Sequence, residues 1–152
     1  MKTIAEAHSD STAPASDFFS RWADMDTWPQ WNADTEWARL DGPFAEGSSG
    51  ELKPKGAPKV RFVIERLVPG REFVDVSRLP GARLTFAHLV DPLPDGGCSI
   101  AVRVTIDGPL APVWSRIMGS GLRESAGPDL ERLVALVEAG RAPAGVPDTA
   151  VG

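Results

Sequence analysis

Cysteine and histidine are nearly missing from this sequence, tyrosine is missing altogether, and no stretch is strongly basic or uniformly apolar. Each gap excludes something. Cys98 stands alone, so no intramolecular disulfide and no thiolate metal site can form. It is read as a small hydrophobe rather than a reactive thiol. The two histidines, His8 and His88, lie eighty positions apart with no convincing carboxylate set beside them, so no metal site is expected. Sixteen Lys and Arg face 21 Asp and Glu, for a formal net charge of −5. Phosphate recognition needs clustered basic residues, so no nucleic-acid partner is expected. No apolar run approaches the ~20 residues that cross a bilayer, so no membrane span is expected. The opening Met1-Lys2-Thr3-Ile4-Ala5-Glu6 lacks the apolar core of a signal peptide, which makes a cytoplasmic protein the default expectation. There is no Ser–His–Asp pattern, no glycine-rich phosphate loop and no dinucleotide fingerprint, so no cofactor is expected.

What is present suits one globular domain. The chain has 152 residues, of which 42% are hydrophobic, enough for a real core. Residues 1–140 are read as that domain. Residues 141–152, rich in Ala, Pro and Gly, are expected to form a disordered tail.

Periodicity divides the domain into elements. Residues 2–9 read as an opening strand. Ser11-Thr12-Ala13-Pro14 reads as a helix start, with Ser11 or Thr12 as the cap. Phe18, Phe19, Trp22 and Met25 then recur at helical spacing, and Trp22 is assigned to core packing. A second helical turn covers 26–31, capped by Asp26 or Thr27, with Trp28 and Trp31 on one side. From residue 35 the period becomes two, predicting strands at 35–40, 50–55, 59–68, 71–79, 83–91 and 98–107. Their connections, such as Val68-Pro69-Gly70-Arg71 and Leu79-Pro80-Gly81-Ala82, are short enough to force antiparallel neighbours. Finally 110–139 carries two apolar stripes at helical spacing, Leu110, Val113, Trp114, Ile117 and Met118, then Leu130, Leu133, Val134 and Val137. Gly119, Gly121, Gly127 and Pro128 between them predict a kink or break.

The order of strand, two short helices, six strands and long helix resembles the START-like (SRPBCC) superfamily, which holds polyketide cyclases and dehydrases, lipid carriers and plant hormone-binding proteins. The residues that carry the resemblance are Trp28-Pro29-Gln30-Trp31 and Gly42-Pro43-Phe44-Ala45-Glu46-Gly47. Phe86-Ala87-His88, Asp95-Gly96-Gly97 and Gly108-Pro109-Leu110 add to them. The resemblance implies an α+β helix-grip fold, a seven-stranded antiparallel sheet wrapped around a long C-terminal helix, with a cavity for an apolar or amphipathic small molecule. It implies no single reaction.

Two functions remain open, beside a third reading in which the tryptophans plug the space and the domain is an interaction module with a filled core and no ligand. One is binding or carriage of a hydrophobic molecule such as a lipid, isoprenoid or aromatic metabolite. The other is a cyclase or dehydratase in which His88 moves a proton, because alternation places His88 inward with Leu84, Phe86 and Val90. Expected cavity residues are Trp28, Trp31, Trp37, Phe62, Ile64, Phe73, Leu84, Phe86, His88, Val102, Val104, Trp114 and Met118. Asp75 is undecided, since Phe73-Asp75-Ser77 and Val74-Val76 compete for the inner face; buried beside His88 it would form an acid–base pair. Arg103 and Glu65 are assigned to the solvated face. An exposed edge strand would support a homodimer.

Overall fold

A computed structural model describes residues 2–141. The expected tail from 142 onward lies outside the described residues. The order is β1 (Lys2–Ser11), α1 (Ala15–Ala23), a 3-10 helix (Met25–Gln30), β2 (Thr35–Leu40), β3 (Ser49–Pro54) and β4 (Val60–Val68). There follow β5 (Glu72–Leu79), β6 (Ala82–Pro92), β7 (Cys98–Asp107) and α2 (Ala111–Arg141). The strands form one antiparallel sheet in the order β1-β7-β6-β5-β4-β3-β2, so hairpins link every neighbouring pair except β1 and β7, and the consecutive strands β1 and β2 end up at opposite edges. The sheet curls around α2, which gives the helix-grip fold. No described helix is long and apolar enough to cross a membrane.

The helix starts differ from the caps read in the sequence. Pro14 occupies the N-cap of α1 and makes no side-chain cap bond. Ser11 instead receives the Ala13 amide and donates its own hydroxyl to Glu138 at 2.7 Å, which ties the end of β1 to the far end of α2. Asp24, not Asp26 or Thr27, precedes the 3-10 helix.

The long helix runs unbroken through Pro128, against the predicted interruption. Proline at this point frees the Glu124 carbonyl, and both residues are exposed, so water can satisfy it. The packing face also differs. Trp114, Met118, Leu122 and Ala126, spaced by four, lie against the sheet. Leu110, Val113 and Ile117 are turned outward, Ile117 with 65% of its surface exposed.

The apolar interior falls into two clusters rather than one. Phe18, Trp22, Trp28, Phe62, Phe73, Ile100, Leu130 and Leu133 belong to the first. Ile4, Leu84, Val104 and Ile106 form the second, with Trp114, Met118 and Leu122 packed on it. The outer face is wet at the β2–β4 end, where Arg39, Lys59 and Arg61 converge on Glu51. Arg103 pairs with Glu6 across β7 and β1 on the same side, as expected, and Glu65 is exposed.

Gly50 shows how closely β2, β3 and β4 are laid together. A Cβ there would stand 2.3 Å from the Arg39 carbonyl oxygen and 2.6 Å from the Phe62 ring. Gly50→Ala should therefore cost ~1–3 kcal/mol, typical of an overpacked core, read as a lower urea midpoint at constant m-value. An unchanged midpoint would mean that the sheet yields at this corner.

Candidate functional site

Between the two clusters lies a cavity of about 340 Å³. Its walls come from both sides of the divided core. Trp22, Trp28, Trp31, Leu130 and Leu133 are contributed by the first cluster; Leu84, Phe86, Val104, Met118 and Leu122 by the second. The inner face of the sheet supplies rows that follow the register. Phe73 pairs with His88 and His88 with Val102; Asp75 pairs with Phe86 and Phe86 with Val104; Ser77 pairs with Leu84. Exposed Asp34 and Gly121 mark where the cavity reaches the surface, between the connection preceding β2 and the middle of α2. That entrance is pinned on its α2 side by two hydrogen bonds. The Ala33 amide donates to Asp129 Oδ1 at 3.4 Å, and Arg132 Nε donates to the Trp31 carbonyl at 3.3 Å.

Of the residues expected from the sequence, Trp28, Trp31, Leu84, Phe86, His88, Val102, Val104 and Met118 line this cavity. The others are placed elsewhere. Phe62, Ile64 and Phe73 are fully buried one layer behind the wall, where Phe62 stacks at 6.5 Å from Trp28 and Phe73 at 4.7 Å from His88. Trp37 lies on the outer face, with the Arg39 guanidinium 5.8 Å from its ring. The cause is a bulge between Thr35 and Trp37 that passes the inward position to Ala38. Trp114 packs with the second cluster and donates its indole N–H to the Pro80 carbonyl at 2.8 Å, fixing the start of α2 to the β5–β6 turn.

Several cavity residues escaped the sequence reading or stayed undecided there. Trp22 is fully buried, as its spacing predicted, yet also forms cavity wall. Thr35 and Ser77 line the cavity but carried no signal beyond alternation. Asp75 takes the inner face, with 4% of its surface exposed.

Asp75 and His88 form the polar centre of an otherwise apolar wall. His88 Nδ1 lies 2.9 Å from the Phe73 carbonyl oxygen, which can only accept, so Nδ1 carries the proton. The ring is sandwiched by Phe73 and by Trp22, whose centroid is 5.0 Å away. Burial pulls the His88 pKa down to about 4, opposed by the bond to Phe73. The imidazole is neutral at pH 7, and Nε2 is left as a lone-pair acceptor. Burial likewise lifts the Asp75 carboxyl to about 7, eased by a backbone hydrogen bond. Asp75 Oδ1 stands 3.9 Å from His88 Nδ1, too far for a hydrogen bond, and has no protein partner. The contact is thus between two groups that burial drives toward neutrality, not an ion pair.

Other titratable candidates play no part in this wall. The buried Cys98 thiol donates to the Ala13 carbonyl at 3.3 Å, and burial pushes its pKa up to about 11, which suppresses the nucleophilic thiolate. His8 is exposed on the outer face beside Ser99 and Asp10. Among the described residues, no group of three or more His, Cys, Asp or Glu is placed to hold a metal ion.

Comparison with known proteins places this geometry in context. A family model described as polyketide cyclase / dehydrase and lipid transport matches residues 2–138. No protein of curated function matches the sequence significantly. Among solved structures, a Nitrosomonas europaea protein superposes with a TM-score of 0.69 at 11% identity, covering 90% of this chain and 95% of its own. A Thermus thermophilus protein gives 0.66 at 16% identity, covering 90% and 97%. One from Chromobacterium violaceum gives 0.58 at 20% identity, covering 88% and 95%. These likenesses establish the shared fold.

The opposed shifts of Asp75 and His88 predict a specific pH signature. The raised Asp75 pKa gives stability that is full below about 3.8 and is lost as pH rises toward about 7. The depressed His88 pKa gives stability that is full above about 6.5 and is lost as pH falls toward about 4. Between these limits folding removes a proton from one group and adds one to the other, so the two slopes cancel. Asp75→Asn should leave the histidine slope exposed, and His88→Phe the opposite one, each up to ~1.4 kcal/mol per pH unit relative to wild type. Urea midpoints of the three proteins across this window test it; parallel profiles would rule out the opposed shifts.

Proposed function

The chain belongs to the polyketide cyclase/dehydrase and lipid transport family, and from that premise we propose that it binds or carries a hydrophobic small molecule, a lipid, isoprenoid or aromatic metabolite, in the cavity between the sheet and α2. The observation that carries this reading is the divided core. A domain of this size ordinarily closes one contiguous core, and unfilled interior volume costs ~24 cal/mol per Å³ in measured cavity series. A fold that keeps about 340 Å³ between two clusters gives up stability for space. The volume falls at the small end of ligand pockets, which run ~300–1,000 Å³. Trp22, Trp28 and Trp31 stand along its wall rather than across it, which argues against a filled core serving only as an interaction module. Each Å² of apolar ligand surface removed from water supplies ~25 cal/mol toward binding before the cost of association.

A second reading is favoured by Asp75 and His88. A protonated carboxyl beside a neutral imidazole is a donor next to an acceptor, the pairing that general acid–base chemistry on a ketone requires. In this reading the protein is a cyclase or dehydratase of its family, with His88 taking a proton and Asp75 supplying one. His88→Ala would then lower turnover by ~10²-fold or more.

Native mass spectrometry of freshly purified protein, followed by denaturation, tests the binding reading. A released apolar molecule of defined mass is the expected result. Val102→Trp, which adds an indole to the β7 part of the wall, should weaken displacement of a fluorescent apolar probe on the order of tenfold (~1.4 kcal/mol). An unaltered probe affinity in that variant, with no released molecule, would overturn the cavity as the binding site.

A further inference from the structure

We infer that the cavity selects a compact, uncharged, ring-shaped molecule bearing a hydroxyl group, which Asp75 and His88 hold between them, and that it turns carboxylates away. This rests on the binding reading above and adds the chemistry of the ligand's polar end.

The charge of the wall is the first ground. Asp34, Asp75 and Asp129 line the cavity, and among the described residues no Lys or Arg does. Arg132, which pairs with Asp129, also donates to the Trp31 carbonyl. A ligand carboxylate would leave water with no cation to meet it, and isolated buried charges are among the costliest groups to desolvate.

The hydrogen-bonding pattern is the second ground. His88 Nδ1 is committed to the Phe73 carbonyl, so the ring can offer the cavity only an acceptor, Nε2. Asp75 lines the same cavity; its Oδ1, buried and without a protein partner, lies 3.9 Å from Nδ1 of the ring, so the carboxyl and the imidazole are side by side on the wall. Below about pH 7 the Asp75 carboxyl is mostly protonated and donates, while the neutral imidazole accepts. A hydroxyl is the group that accepts from one and donates to the other at once, whereas a ketone uses only the carboxyl. Ser77, one inward position along β5, offers a further hydroxyl on the same wall.

The shape is the third ground. Trp22, Trp28, Trp31 and Phe86 give flat aromatic walls, and a volume of about 340 Å³ fits two or three fused rings better than an extended chain.

Four probes with one ring system separate these grounds: 2-naphthol, 2-methylnaphthalene, 2-naphthoate and 2-naphthylmethylammonium, titrated into the full chain by quenching of tryptophan fluorescence at about pH 5.5, between the His88 and Asp75 pKa values. The expected result is a naphthol Kd at least tenfold below those of the methyl compound and the carboxylate. In His88→Phe, which keeps a flat ring beside Phe73, the ratio of the methylnaphthalene Kd to the naphthol Kd should fall to about one. Asp75→Asn should retain most of that advantage and Asp75→Leu should lose it. Equal binding of naphthol and methylnaphthalene by the wild type would leave the binding reading intact and overturn the selection of a hydroxyl. Naphthoate binding as tightly as naphthol, or the ammonium binding tightest, would overturn it equally. If none of the four binds, the binding reading itself falls.

Discussion

Everything in this fold depends on α2 being held at both ends and along β1 while it stands off the strands on the other side of the sheet. At its start, the Trp114 indole is bonded to the Pro80 carbonyl and Met118 rests on the second cluster. Toward its end, Glu138 takes the Ser11 hydroxyl and the Thr12 amide, while Leu130, Leu133 and Val137 join the first cluster. The helix packs chiefly along β1 and does not close down on the strands at the other side of the sheet. An amphipathic helix free to choose would settle where it buries most apolar area. This one is fixed by polar bonds at its ends, so the middle of the sheet keeps a space that hydrophobic collapse alone would remove.

That arrangement explains why the fold was legible in the sequence and the site was only partly so. Element order follows from short turns and a change of period, both local properties. In β7 the alternation of Ile100, Val102, Val104 and Ile106 against Arg103 and Thr105 identifies the faces without ambiguity. In β5 the signal is reversed. Val74 and Val76 are buried on the outer face of a central strand, while Asp75 and Ser77 face the cavity. A pattern rule assigns valines inward and aspartate outward, and it is defeated here by the residues that serve the site. Bulges add a second obscurity. The extra residue between Thr35 and Trp37 turns Trp37 to the outer face, and no propensity in that stretch announces it.

The helix shows the same division between local and tertiary information. The apolar residues of 110–118 define a stripe, but which edge of it meets the sheet is set by the Trp114 anchor. Rotation about that anchor leaves Val113 and Ile117 in solvent. Proline signals a break by local rules, and at Pro128 the tertiary packing on both sides carries the helix through, with Glu124 exposed so that water can take up its freed carbonyl. Whether tryptophans fill a space or line it is a question of distances between elements far apart in the chain. Trp22 answers it both ways, fully buried by its helix and still part of the wall.

A buried aspartate and histidine that do not bond each other are costly in a protein of this size, since each is taken from water without a full set of partners. Packing alone does not account for them. Leucine and phenylalanine would fit the alternation of β5 and β6 and would join the two clusters into one. The pair also cannot serve as a structural ion bridge, because burial drives the two groups toward neutrality and their nearest atoms stand 3.9 Å apart. What remains is a donor and an acceptor held on rigid strands in an apolar wall, at the place where the fold has given up packing for volume. Polar groups that are neutral, pre-oriented and incompletely paired give little to the folded state, and gain most from a third group that completes them.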